Sequence, residues 1–254
     1  MNHLTIDIGN TDAVFGFWPQ NASVPEILRI PTKTLTPEES SFDTNQQILL
    51  KEWNSQGEIN LIISSVVPAA TPHIYSLVNH IFKPECKFLD PTSFEMLPLK
   101  ILRPDQIGAD LVANALAAHL MFNLNSIIVD FGTAMSFTTL DYKGNILGVS
   151  IAPGLQTAIK SLTSNAAQLY AVPLEMPVSC LGQSTEHAIQ AGIMYGYDGL
   201  VRGIIKSQED ELGYKLNVIM TGGLSQKIPK LKDIVDHYEP YLTLKGLKYA
   251  LDYL

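Results

Sequence analysis

One short pattern occurs twice in this chain, at residues 4–11 and again at residues 127–133. In each copy an apolar run ends in an aspartate, Asp7 or Asp130, with a glycine after one intervening residue and then a threonine. A buried strand would deliver the aspartate to its carboxyl end, where it can hold a cation while the glycine-containing loop binds phosphate oxygens. Two such units, half a chain apart, suggest two similar halves facing one nucleotide, and therefore phosphoryl transfer.

Composition limits the class of partner. The 254 residues carry a net charge of −8, which argues against nucleic-acid binding because that relies on a basic surface. Arginine occurs only at Arg29, Arg103 and Arg202. We therefore expect an anion site to use backbone N–H groups, hydroxyls, lysines or a metal. The spacing of Cys86 and Cys180 favours neither structural zinc nor a disulfide framework.

The N-terminal residues lack the basic start and apolar core of a signal peptide, and no apolar run reaches the length of a membrane span. These features predict a cytoplasmic protein without a membrane partner.

Strand and helix patterns alternate along the chain and predict two α/β lobes with mixed sheets and a cleft between them. A hairpin is expected over residues 4–18, and a helix start is expected at Thr36, which precedes a proline and has Glu39 three residues later. The remaining predicted strands are 61–68, 127–130, 137–140, 146–151 and 217–220, and the remaining predicted helices are 71–81, 111–121 and 184–205.

Two motifs each allow two interpretations. Asp110, at the start of an alanine-rich helix, can be a first-turn carboxylate that the helix dipole stabilises, or a general base beside a substrate hydroxyl. The sequence alone favours the first interpretation. Residues 221–223, Thr-Gly-Gly, can form a simple turn or a platform for an adenine or ribose. The chain lacks the P-loop and GxGxxG motifs of the common nucleotide-binding folds.

Taken together, the motifs resemble the type III pantothenate kinases, the family that includes the Bvg accessory factor proteins. The segments that carry the resemblance are residues 7–11, 65–68, 108–110, 130–134, 151–154, 184–185, 221–223 and 242–247, with Gly192 and Gly196. The resemblance implies the α/β fold of the acetate and sugar kinase/Hsp70/actin superfamily, with duplicated ribonuclease-H-like lobes at residues 1–120 and 121–254. It also implies a homodimer with the substrate site near the interface.

The same resemblance implies ATP-dependent phosphorylation of pantothenate to 4'-phosphopantothenate, the first step of coenzyme A biosynthesis. It makes Asp110 the general base and Asp130 a ligand of a monovalent cation, K⁺ or NH₄⁺, with Mg²⁺ accompanying ATP. The implied nucleotide contacts are the phosphate-binding loop (residues 7–14: Asp7, Ile8, Gly9, Asn10, Thr11, Asp12, Ala13 and Val14) and Thr133. The implied pantothenate contacts are Gly108, Ala109, Asp110, Leu111 and Thr185.

Four positions depart from the family pattern, all in ligand-facing motifs. Leu111 replaces an arginine, Ile101 a tyrosine, Asp12 an asparagine or basic residue, and Val149 a glycine. Such changes leave two alternatives open beside pantothenate kinase. One is a non-catalytic relative that binds nucleotide or a partner as a regulator. The other is a kinase of the same fold acting on another small hydroxy compound.

Overall fold

The computed structural model describes residues 1–35, 42–82, 85–166 and 168–254, which contacts between Cα atoms divide into two units. The first unit combines Met1–Met121 with Leu242–Leu254, and the second is Phe122–Tyr241. The lobes expected from the sequence, 1–120 and 121–254, differ from these units chiefly in residues 242–254, which pack with the first unit. The helix start expected at Thr36 lies outside the described residues.

The first unit holds a five-stranded sheet in the order β3-β2-β1-β4-β5. Strand β1 runs antiparallel to β2 and parallel to β4. The bounds are β1 Asn2–Ile8, β2 Asp12–Trp18, β3 Glu26–Pro31, β4 Ile59–Ser65 and β5 Cys86–Leu89, with helices α1 Thr44–Ser55, α2 Thr71–Phe82 and α3 Ala109–Phe122.

The second unit repeats this arrangement in the sheet order β8-β7-β6-β9-β10. Strand β6 is antiparallel to β7 and parallel to β9, as β1 is to β2 and β4. The bounds are β6 Ser126–Phe131, β7 Ala134–Leu140, β8 Ile146–Pro153, α4 Leu155–Asn165, α5 Thr185–Leu212, β9 Asn217–Thr221 and β10 His237–Tyr238. The predicted duplication of an α/β unit is confirmed by this matching topology.

One face of the first sheet is apolar. Because side chains alternate between faces along a strand, Leu4, Ile6 and Ile8 of β1 point the same way and are fully buried. Helix α1 packs on this face, where Trp53 stacks on Phe17 with ring centroids 5.2 Å apart. The helix begins after Asp43, whose side chain forms a capping box with Gln46.

The other face of the first sheet meets a helix from the end of the sequence, α6 (Leu242–Ala250). Leu244 lies against Gly16 of β2, and a Cβ on Gly246 would collide with the carbonyl of Ala113 in α3. The backbones of α6 and α3 are therefore in direct contact. This close packing explains why residues 242–254 belong with the first unit.

Candidate active site

Asp7 stands in a row of four residues that crosses the first sheet. It pairs in register with Ser64 of β4 and with Val14 of β2, and Val14 pairs with Arg29 of β3. Residues directly opposite each other point to the same face. The buried Ser64 hydroxyl donates a hydrogen bond to Asp7 Oδ1 at 2.8 Å. The Asp7 carboxylate is thus held in a defined orientation at the end of β1.

The phosphate-binding loop is anchored to the end of β3. Gly9 N donates to Asp12 O at 3.0 Å, closing the turn between β1 and β2. Thr32 Oγ1 donates to Gly9 O at 2.6 Å, and Thr32 N donates to Thr11 O at 2.9 Å. Asn10 and Thr11 are exposed. The loop is therefore held by its carbonyl groups while its tip faces solvent.

Not every predicted nucleotide contact of this loop presents its side chain. Ile8 and Ala13 are fully buried in the sheet's apolar face, so only their backbone atoms can meet a ligand. Val14 and Asp12 are half-buried.

Asp110 lies in the first turn of α3 and folds back over Gly108. Its Oδ1 accepts a hydrogen bond from Leu111 N at 2.8 Å, while Gly108 O accepts from the N–H groups of Leu111 and Val112. A Cβ on Gly108 would collide with Asp110 Oδ1, so this carboxylate position requires glycine there. Burial raises the pKa of the Asp110 carboxyl, although the backbone hydrogen bonds oppose the shift. The helix-turn placement fits the first interpretation, and the raised pKa suits a general base.

Asp110 and the phosphate-binding loop are neighbours in the first unit through Val66. Val66 N donates to Ile8 O at 3.0 Å. Its Cγ1 would lie 3.5 Å from a Cβ on Gly108. The ends of β1 and β4 and the start of α3 therefore meet at one edge of the sheet.

The four positions that depart from the family pattern do not lie together: Asp12 begins β2, Leu111 follows Asp110 in α3, Ile101 precedes that helix, and Val149 lies in β8 of the second unit. Leu111 and Ile101 are both half-buried. Arg103 is exposed, and its carbonyl accepts hydrogen bonds from Gln106 N and Ile107 N in the turn that leads to Gly108.

The second unit has its own acidic strand end at Asp130. Asp130 pairs in register with Thr221 of β9 and with Ser136 of β7. The loop after β6 is anchored through one carbonyl, because Thr133 O accepts from Gly154 N at 3.1 Å and from Thr157 Oγ1 at 2.6 Å. Thr133 itself is exposed.

Gly222 packs against the strand end that carries Asp130. Its φ of +92° is a left-handed conformation, and a Cβ there would lie 2.6 Å from Asp130 Oδ1 and 2.5 Å from Phe131 N. The Thr-Gly-Gly motif is thus a turn that packs directly on the acidic strand end. Tyr197 supports the same region by donating its hydroxyl hydrogen to Pro153 O at 2.6 Å, a contact that sequence patterns did not indicate.

Thr185 is exposed at the first position of α5, after the N-cap Ser184, whose Oγ accepts from His187 N at 3.2 Å. Thr185, Asp130 and Thr133 belong to the second unit, whereas the phosphate-binding loop and Asp110 belong to the first. Within the described ranges, no three His, Cys, Asp or Glu side chains cluster as a metal site would require.

Comparison with known proteins identifies the family. The family model described as type III pantothenate kinase matches residues 3–207. The chain belongs to the type III pantothenate kinase family. A type III pantothenate kinase of Treponema pallidum is 40% identical over 253 residues, covering 96% of this chain and 91% of that protein. A type III pantothenate kinase of Bacillus cytotoxicus is 35% identical, and the match covers 95% of this chain and 92% of that protein.

Solved structures agree with this family's fold. A Campylobacter jejuni protein described as a Baf family transcriptional activator gives a TM-score of 0.62 at 17% identity, covering 98% of this chain and 97% of its own. An archaeal actin homologue gives 0.51 at 12% identity, with 99% of both chains covered. In the part of the chain that the structure describes, no helix is long and apolar enough to cross a membrane.

Proposed function

We propose that the chain transfers the γ-phosphoryl group of ATP to the primary hydroxyl of pantothenate, giving 4'-phosphopantothenate, the first step of coenzyme A biosynthesis. Membership of the type III pantothenate kinase family supports this activity. The observation that carries it is Asp110, a carboxylate of raised pKa beside the phosphate-binding loop.

Asp110 acts as the general base. Its carboxylate accepts the proton of the pantothenate hydroxyl as the hydroxyl oxygen attacks the γ-phosphorus and the bond to the β-γ bridging oxygen breaks. A base is most effective when its pKa approaches the working pH, so burial of Asp110 favours this role. Gly108 leaves the room that the carboxylate needs.

The phosphate-binding loop, including Asp7, binds the nucleotide with its Mg²⁺. Backbone N–H groups around Gly9 suit phosphate oxygens. Mg²⁺ bound to ATP keeps several waters and needs only one or two protein carboxylates, and Asp7, oriented by Ser64, fits that requirement. Thr133 and Thr185 are exposed, as ligand contacts require, and we propose them as contacts to the nucleotide and to pantothenate.

Asp130 holds the monovalent cation, K⁺ or NH₄⁺, in this proposal. Its carboxylate lies at a strand end opposite the hydroxyl residue Thr221, and oxygen donors of this kind suit hard cations. The test compares rates in K⁺, NH₄⁺ and Na⁺ buffers of equal ionic strength. Activation by K⁺ that disappears in Asp130→Asn supports the role, and equal rates in all three buffers contradict it.

We also propose that the chain works as a homodimer. Leu147, Val149 and Ile151 lie on one face of the edge strand β8 and are exposed, and such an apolar stripe favours burial against another copy. Light scattering coupled to size-exclusion chromatography tests this state. A monomer at micromolar concentration contradicts it.

The decisive experiment for the activity is a phosphoryl-transfer assay with ATP, Mg²⁺, K⁺ and pantothenate, with 4'-phosphopantothenate identified by mass spectrometry. Leu111, in place of the family arginine, favours a second candidate, a kinase for another small hydroxy compound. A panel of such acceptors therefore accompanies pantothenate. No product from pantothenate together with turnover of another acceptor would select that second candidate.

A further inference from the structure

Each unit has a row of four residues across its sheet with an aspartate at the corresponding place, and the two rows differ in charge at one position. In the second unit the row runs from Thr221 through Asp130 and Ser136 to Ile151. In the first unit the corresponding position on the third strand is Arg29. The first unit therefore places a cation where the second places an apolar side chain.

Arg29 belongs to the segment that anchors the phosphate-binding loop. It lies three residues before Thr32, which donates hydrogen bonds to both Gly9 O and Thr11 O. The Arg29 side chain is exposed and stands on the same sheet face as Asp7, two strands away. Two strand spacings amount to about 10 Å, so a group bound beside Asp7 and above Val14 lies within reach of the long arginine side chain.

The charge balance of the loop calls for a cation at this place. Asp7 and Asp12 put two acidic residues at the loop, and ATP adds the charges of its triphosphate. Arg202 is held by ion pairs to Asp198 and Asp233 in the second unit, at 3.0 and 2.7 Å. Arg29 is thus an arginine that the register of β3 places in the row of Asp7, whereas Arg103 lies in the turn before α3.

We propose that Arg29 binds the β- or γ-phosphate oxygens of ATP, through the planar guanidinium group that suits phosphate recognition. This inference rests on the proposed kinase function for its nucleotide. Arg29 would compensate for the negative charge that Asp12 brings to the loop.

The test measures binding of the non-hydrolysable ATP analogue adenylyl imidodiphosphate with Mg²⁺ by calorimetry, without any acceptor. Arg29→Gln should bind the analogue about ten- to a hundred-fold more weakly, the usual loss for one charge-assisted contact, and Arg29→Lys should lie between this variant and the wild type. Lys51→Gln is the matched control, because Lys51 is an exposed cation on α1, which packs on the opposite face of the same sheet. It should bind as the wild type does.

Three further measurements sharpen the test. AMP lacks the β- and γ-phosphates, so its affinity should be the same in Arg29→Gln and wild type. Thermal unfolding should show equal Tm values, since Arg29 is exposed. Lys33→Gln removes the neighbouring exposed cation after Thr32 and should have a smaller effect than Arg29→Gln.

Several results would overturn the proposal: unchanged analogue binding by Arg29→Gln, an equal loss of AMP binding, a loss confined to Lys33→Gln, or no binding of the analogue by the wild type. Failure of the wild type to phosphorylate pantothenate, with analogue binding still dependent on Arg29, would reject only the acceptor assigned under the proposed function.

Discussion

Ser64 of β4 donates its hydroxyl hydrogen to Asp7 Oδ1 of β1 across 2.8 Å, between two parallel strands. The serine is 1% exposed, so the bond is made away from bulk water. Thr221 stands opposite Asp130 at the same place in the second unit. A hydroxyl residue on the neighbouring parallel strand is therefore a shared feature of both acidic strand ends.

Loss of the Ser64 hydroxyl should weaken MgATP binding. Hydrogen bonds to charged groups contribute about 1.5–3 kcal/mol, so Ser64→Ala should raise the KM for ATP roughly tenfold or more, with the KM for pantothenate unchanged. Ser64→Thr keeps a hydroxyl and should restore much of the affinity. Ser55→Ala, at the exposed end of α1, is the control. Equal rises in both KM values would mean that Ser64 supports the fold rather than the nucleotide.

Asp110→Asn should lower kcat by about 10²-fold or more, the usual effect of removing a general base. The fold should persist, because the Asn Oδ1 can still accept the hydrogen bond from Leu111 N. Asp105→Asn changes an exposed carboxylate in the preceding loop and should leave kcat unchanged. Steady-state kinetics check both variants. Turnover near the wild-type rate in Asp110→Asn would exclude Asp110 as the base.

The pH dependence of kcat/KM should reflect the pKa of Asp110, which burial raises. Since only the carboxylate form accepts a proton, kcat/KM should fall on acidification at a pH above the ordinary aspartate pKa of about 3.9. The folded state binds this proton more tightly than the unfolded state, so the stability contributed by protonation is lost as pH rises through the folded pKa.

Urea unfolding of wild type and Asp110→Asn checks the sign of this linkage. As the pH rises from acidic to neutral, the free energy of unfolding of Asp110→Asn should increase relative to that of the wild type. A difference independent of pH would contradict the shift.

Restoring the family pattern should improve the use of pantothenate. A lost arginine contact to a carboxylate costs about 1.5–3 kcal/mol, so Leu111→Arg with Ile101→Tyr should raise kcat/KM for pantothenate roughly ten- to a hundred-fold, without changing the KM for ATP. If the double variant gains nothing and Arg103→Ala abolishes activity, Arg103 has taken over the missing arginine's role.

Gly246→Ala should destabilise the first unit, because its Cβ would collide with the Ala113 carbonyl. Overpacking of this kind typically costs about 1–3 kcal/mol. Gly199→Ala is the matched control: Gly199 lies inside helix α5 with open space around its Cβ position, and alanine there should be neutral or stabilising. The midpoint of urea unfolding checks both. Equal midpoints in the two variants would contradict the close contact between α6 and α3.

Local sequence patterns predicted the strands and the helix that carry the candidate site, because apolar alternation and turn residues are visible without knowledge of the tertiary structure. The hairpin across the phosphate-binding loop, observed as β1 and β2, is marked by apolar alternation and by Gly9 at the turn. The helix after Gly108 and the strand that ends at Asp130 were similarly visible, and both are confirmed.

Relations between distant residues could not be predicted in this way. Arg29 enters the row of Asp7 only through the register of β3 with β2, which local patterns do not fix. Tyr197 reaches Pro153 across 44 residues of sequence, and such a contact depends on tertiary packing.

The return of α6 to the first sheet has a consequence during translation. Residues 122–241 form a continuous segment, so the second unit has all of its sequence before α6 is synthesised. The first sheet lacks one of its covering layers until Leu242, Leu244 and Leu247 leave the ribosome. Domains generally fold in the order of synthesis, N-terminal first. Here the unit that starts the chain is the one whose sequence is completed last.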